Sequence, residues 1–206
     1  MTSLEMRNDA LFMRNEFETV GDWQIPLVRK QRVNISNLSL IACSNTKKHE
    51  NEANIHRGVH FFVDDYRFSG IYDNPERTLD KYSQYDFLLT PDFSTYSDMN
   101  LWRQLESVAK NRWVGAYWQS FGLIVVPTVS WSDTASYSFC FDGVEKHSIV
   151  AIGMIGFKHE KKAFLNGYNK MLEHIEPETI ICLGSPCEEM KGNIINVDYL
   201  STRRRG

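Results

Sequence analysis

Three apolar runs of this chain close on an aspartate: Val59-His60-Phe61-Phe62-Val63-Asp64-Asp65, Phe87-Leu88-Leu89-Thr90-Pro91-Asp92, and Ile124 through Asp133. A carboxylate can move a proton, attack an electrophile or, with others, hold magnesium. Two carboxylates brought together repel, which raises the pKa of one and makes an acid–base pair. Asp64, Asp65, Asp92 and Asp133 are therefore the candidate catalytic residues. Strand alternation sends Asp64 and Asp65 to opposite faces, so at most one of them enters a given pocket. Pro91 cannot donate to a sheet ladder, which marks the end of its strand just before Asp92. Aromatic and polar neighbours suggest what the acids act on. Tyr117, Trp118 and Trp131 are flat rings able to stack on a nucleobase. Tyr66, Arg67 and Ser132 complete the candidate substrate-binding set, with Asp133 orienting the ring.

Other chemistries lack their residues. There is no Walker lysine motif, no Gly-x-Gly-x-x-Gly opening a helix, and no glycine-flanked nucleophile elbow beside Ser130 or Ser132. Gly153-Met154-Ile155-Gly156 could take a phosphate but is one glycine short of a nucleotide fingerprint. His56 and His60 have the spacing of a helical metal pair, but His60 falls in a strand, which separates them. His147, next to Lys146, reads as a surface residue. Cys43, Cys140, Cys182 and Cys187 are scattered through mostly apolar sequence and read as buried reduced thiols. No resident metal or cofactor is expected.

The elements that must position the acids follow a β–α rhythm. Apolar runs at 38–43, 59–63, 86–90, 123–129, 149–152, 179–183 and 194–197 read as strands. They are continuous rather than alternating, as in parallel sheets covered on both faces. Asn74-Pro75 opens one helix. Asp98 is the expected cap of the next, in which Leu101, Trp102, Leu105, Val108, Ala109, Arg112 and Trp113 repeat at helical spacing; Gly122 closes the segment. A third helix carries Phe164, Leu165, Tyr168, Met171, Leu172 and Ile175 and ends before Pro177. Residues 134–147 lean toward a helix covering the site. The count of about seven strands, with acids at several strand ends, favours a small or incomplete β/α barrel over an open doubly wound sheet. In either case ligands bind at the carboxyl ends of the strands. Residues 1–36 read as an N-terminal arm with a short helix near 3–18, and 37–206 as one α/β domain.

The totals suit that reading: 206 residues, 42% hydrophobic, 13% aromatic, and a formal charge of −3. No run of 18 apolar residues is present and the first twenty residues are broken by charges, so a cytoplasmic protein without a membrane span is expected. The slightly acidic balance offers no global attraction for nucleic acid. The closing Arg203-Arg204-Arg205 reads as a solvated end.

The stretch from Phe61 to Asp198 resembles the DUF4417 family, of unknown function. The matching residues are Phe-Phe-Val-Asp-Asp-Tyr-Arg-Phe at 61–68, Leu-Thr-Pro-Asp-Phe-Ser at 89–94, Gly-Ala-Tyr-Trp-Gln-Ser at 115–120, Pro-Thr-Val-Ser-Trp-Ser-Asp at 127–133 and Phe-Cys-Phe-Asp-Gly at 139–143. The resemblance implies an origin in a phage or mobile element, hence a setting in DNA metabolism or counter-defence. A second likeness is to the tRNA-guanine transglycosylases, β/α barrels that exchange a base with two aspartates. It would match Asp64 or Asp65 and Asp92 to that family's acids, and Asp198 with Ser201, Thr202 and Arg203 to its nucleophile region. The glycine pair after the first aspartate and the zinc ligands of that family are absent. Partners implied are a nucleotide or nucleic acid for an enzyme, or a host defence protein for a non-enzymatic binding protein that blocks it or sequesters a nucleotide signal.

Overall fold

The computed structural model describes residues 2–154 and 160–204. Ile155 and Gly156 of the phosphate-loop reading lie outside the described residues. The N-terminal segment forms two short helices, α1 (Ser3–Asn8) and α2 (Ala10–Met13), where one was expected. Asp9 divides them, because its carboxylate accepts from the amides of Leu11 and Phe12 and starts a new helix. A small antiparallel hairpin follows, β1 (Thr19–Val20) with β2 (Ile25–Pro26). Ile25 and Val28 are buried in the core clusters, so this segment packs against the α/β body.

The body is α/β with parallel sheets. In chain order its elements are β3 (Leu40–Ala42), α3 (Glu52–Ile55), β4 (Gly58–His60), α4 (Gly70–Asp73), α5 (Pro75–Tyr82), β5 (Phe87–Leu89), α6 (Leu101–Ser120), β6 (Val125–Val126), β7 (Ile149–Gly153), α7 (Lys161–Ile175), β8 (Thr179–Leu183) and β9 (Ile194–Val197). Strands β3-β4-β5-β6 form one parallel sheet and β7-β8-β9 another, each in sequence order. A parallel bridge between Thr128 and Ala151 joins them. It is made by Val129 N–H to the Ala151 carbonyl at 2.8 Å and Ala151 N–H to the Pro127 carbonyl at 2.9 Å. The reversal of strand order that defines a doubly wound sheet does not occur among the described residues. Nor is the barrel closed: no pairing joins β9 to β3 among them. A 3-10 helix at Tyr199–Thr202 lies against β3 instead. The buried Arg57 holds it there by donating to the carbonyls of Leu40, Ser201 and Arg203.

Both faces of each long strand are apolar and buried. Along β8, Ile181 and Leu183 join a cluster with Leu40, Leu89, Val126, Ala151 and Val197, while Ile180 and Cys182 face a second cluster with Tyr168, Met171 and Ile175 of α7. This two-sided burial is why the strands read as unbroken hydrophobic runs. Helix α6 begins two residues later than expected, with Asn100 rather than Asp98 at its N-cap. It lies close on the sheet because Gly115 has no side chain: a Cβ there would stand 2.7 Å from Thr90 Cγ2 and 2.8 Å from Val28 Cγ2. Gly122, at φ +78°, turns the chain toward β6. Residues 134–147 form a 3-10 turn at Ser136–Ser138 and irregular chain, not the helix leaned toward.

Candidate functional site

The loops that follow the strands enclose a cavity of about 1200 Å³. Its walls come from Ala42 at the end of β3 with Ser44 and Asn45 after it, Phe62–Asp65 and Arg67 after β4, and Asp92–Asp98 after β5. Val129–Ser132 after β6, Ile152 and Gly153 of β7, Glu160, Ala163 and Phe164 at the start of α7, and Tyr199, Thr202 and Arg203 of the C-terminal segment complete them. The cavity therefore sits at the carboxyl end of the sheet, where α/β folds bind ligands.

Asp65 and Asp92 both enter it. Asp65 heads the 3-10 helix Asp65–Arg67, and its two oxygens accept from Ser94: Oδ1 from the hydroxyl at 2.8 Å, Oδ2 from the amide at 3.1 Å. Those two donors fix its direction. Asp92 follows Pro91. Its Oδ1 is buried and has no hydrogen-bond partner among the described residues. Burial pushes its pKa up to about 7, and the negative charge of Asp65 adds to the rise; a hydrogen bond from Ser130 and the positive charge of Arg112 oppose it. One carboxylate is thus anchored, and the other is poised to take or release a proton near neutral pH.

A buried polar network supports Asp92 from below. Arg112, fully enclosed on α6, donates to the carbonyls of Thr128, Cys140 and Asp142 at 2.7, 3.0 and 3.0 Å. Asn111 donates to the Pro91 carbonyl at 2.7 Å and accepts from the Thr90 hydroxyl at 2.8 Å, and Thr90 in turn accepts from the Thr128 amide at 2.7 Å. The ends of β5 and β6 are tied together through these contacts. The helical spacing of Arg112 located it on α6, but nothing local signals that it turns inward, because the carbonyls it donates to lie 16 to 30 residues away.

Asp64 also lines the cavity, which corrects the expectation that only one of the adjacent acids could. The strand stops at His60, so alternation no longer governs residues 64 and 65. Asp64 is exposed and its Oδ2 stands 3.7 Å from Arg67 Nε, while Arg67 itself lines the cavity. Trp131 and Ser132 are placed there too. The Trp131 ring lies 5.1 Å from that of Phe164 and fits against Gly167, where a Cβ would meet it at 2.2 Å. Ser132 donates its hydroxyl to Gln104.

The remaining candidates are elsewhere. Asp133 is exposed and outside the cavity lining; its Oδ1 accepts from the Ala135 amide at 3.0 Å, so its carboxylate holds its own turn. Tyr66 points outward, with Arg67 above its ring at 5.1 Å. Tyr117 and Trp118 are buried in an aromatic cluster with Phe61, Tyr82 and Trp113. They are packing residues because α6 runs back against the strand direction, so its C-terminal end lies at the amino end of the sheet, away from the cavity.

Among the described residues no group of three or more His, Cys, Asp and Glu side chains is placed to hold a metal ion. His60 is enclosed: Nδ1 accepts from the Phe62 amide at 3.2 Å, and burial holds its pKa down to about 3. Cys43, Cys140 and Cys182 are buried free thiols whose pKa burial pushes up to about 12. The C-terminal arginines are not all a solvated end. Arg203 lines the cavity, and Arg204 makes a double contact, 2.6 Å to each oxygen, with the covered carboxylate of Glu50. No helix among the described residues is long and apolar enough to cross a membrane.

Residues 17–200 match the profile of the family described as domain of unknown function (DUF4417). The chain is 36% identical over 188 residues to the Gene 1 protein of Mycobacterium phage L5, covering 88% of this chain and 81% of that protein. It is 35% identical over 188 residues to the Gene 1 protein of Mycobacterium phage D29, covering 88% of this chain and 68% of that one. No solved structure matches it.

Proposed function

We propose, for a chain that belongs to the DUF4417 family and is homologous to phage Gene 1 proteins, that the strand-end cavity binds a nucleobase, free or within a nucleotide or nucleic acid, and moves a proton on it through Asp92. Asp65 is the fixed carboxylate of the pair. The run of parallel strands in sequence order is read as an incomplete barrel, its open seam covered by the C-terminal 3-10 helix that lies against β3. The observation that carries the reading is the unlike pair in one cavity: Asp65 pinned by two donors from Ser94, Asp92 with a buried, unpartnered oxygen and a pKa near 7. Two carboxylates in unlike surroundings within one cavity form the acid–base arrangement of many enzymes. Trp131 and Tyr96 supply ring faces, and Ser44, Asn45 and Ser130 supply polar contacts.

The transglycosylase likeness matches Asp64 or Asp65 and Asp92 to the paired acids, and of the first two Asp65 is the one held by Ser94; its match of Asp198 to the nucleophile region finds no support in the surroundings of that residue. That carboxylate accepts from the Leu200 amide at 3.1 Å and caps the last 3-10 helix. The setting is a phage or mobile element, in DNA metabolism or counter-defence. A binding protein that only sequesters a nucleotide would use the same cavity, whose volume accommodates one.

Asp92→Asn separates these roles. Wild-type protein is incubated with nucleosides, nucleotides and oligonucleotides, and products are followed by mass spectrometry. Turnover should fall at least about a hundredfold in the variant with ligand binding retained, the usual weight of a general acid or base. Equal turnover in wild type and variant would remove the acid–base role.

A further inference from the structure

We propose that the mouth of this cavity grips single-stranded nucleic acid, with one base inside and its neighbours stacked on Tyr66, Tyr96 and Trp102. The inference rests on the nucleobase reading above and adds that the base belongs to a strand. These three rings are 72%, 64% and 63% exposed. Tyr66 lies between the lining residues Asp65 and Arg67, Tyr96 lines the mouth itself, and Trp102 is the second residue of α6, four residues after the lining residue Asp98. Packing explains none of them, unlike the enclosed rings of α6. Two carry an arginine on the face: Arg67 over Tyr66 at 5.1 Å and Arg103 over Trp102 at 5.4 Å. Exposed aromatics interleaved with arginines form the stacking platforms of single-strand binders.

Charge selects a strand over a free nucleotide. The lining carries the acids Asp64, Asp65, Asp92, Asp98 and Glu160 against Arg67 and Arg203. A nucleotide entering alone would bring its phosphates among carboxylates. A base swung out of a strand leaves its phosphodiesters outside the cavity, within reach of Arg67 of the lining and of Arg103 in the first turn of α6. Their pairings with Asp64 and Glu106 are surface contacts, weak in water and open to exchange for a phosphate.

The test uses fluorescence anisotropy of short labelled DNA and RNA single strands, with the matching duplex and unlabelled mononucleotides as competitors, on wild type, Asp92→Asn and the double variant Tyr96→Ala/Trp102→Ala. The altered rings are exposed, and thermal melting confirms folding. The expected result is single-strand binding that weakens as salt rises, is retained in Asp92→Asn, resists mononucleotide competition, and falls at least about fivefold per ring removed. The DNA and RNA arms tell which strand is preferred. No single-strand binding, equal competition by mononucleotide, or undiminished binding by the double variant would each overturn the inference. Turnover of free nucleotides lost in Asp92→Asn would meanwhile leave the catalytic reading standing.

Discussion

The two ends of the parallel sheet use the same residue types for opposite purposes. At the carboxyl end, Trp131, Tyr96 and Tyr199 border a polar cavity that holds the aspartates. At the amino end, Trp113 and Tyr117 stack at 5.2 Å and Trp118 lies 5.6 Å from Phe61, all closed off from water. An aromatic residue's role here follows from which end of a strand its loop or helix reaches. Every crossover helix runs back toward the amino end, so the rings late in α6 meet the core, whereas Tyr96 and Trp131, in the loops after β5 and β6, meet the ligand side.

Breaking the closed end should give the largest effect. Trp118→Ala removes an enclosed indole, and denaturant unfolding should show a loss of about 3–5 kcal/mol. If its cost were that of a surface change, the amino end would not be the packed one.

Asp92→Asn should act in the other direction at the open end. The Asp92 carboxyl has an ordinary pKa of 3.8 and one of about 7 in the fold. Between those values the folded protein holds a proton that the unfolded chain has released, so stability falls as pH rises through this window and the cost is complete above it. Asparagine carries no charge at any pH. The variant should therefore exceed wild type at about pH 8 by as much as about 4 kcal/mol and match it near pH 4, as read from melting curves across pH. A constant difference across that range would mean that Asp92 does not titrate as its surroundings dictate.

Asp133→Ala should do least. It deletes a side-chain acceptor in an exposed turn, worth about 0.5–1 kcal/mol, and should leave cavity binding unchanged. A loss of binding as large as that of a cavity variant would return Asp133 to the site.

Much of the architecture was legible because burial on both faces leaves an uninterrupted apolar signature. Thr179–Leu183 and Ile194–Val197 match their expected bounds, and α7 stops before Pro177 as expected. The hairpin at 19–26 was missed: two-residue strands carry no usable alternation. The start of α6 slipped from Asp98 to Asn100 because several neighbouring polar residues can serve as a cap. Within the site, Asp65, Asp92 and Trp131 were visible as strand-end residues. Ser94 sits two residues past Asp92, but its bond to Asp65 spans 29 residues of chain.

The sequence by itself determined where parallel strands form and which acids follow them, since hydrophobic runs and turn residues are local properties. Only the tertiary structure decided that Asp65 and Asp92 share a cavity while Asp133 caps its own turn. It alone decided that Tyr117 and Trp118 are core, and that a C-terminal segment clamped by Arg57 walls the site. Those outcomes depend on contacts between residues far apart in the chain, on which water is excluded from which carboxylate, and on the direction in which each helix returns.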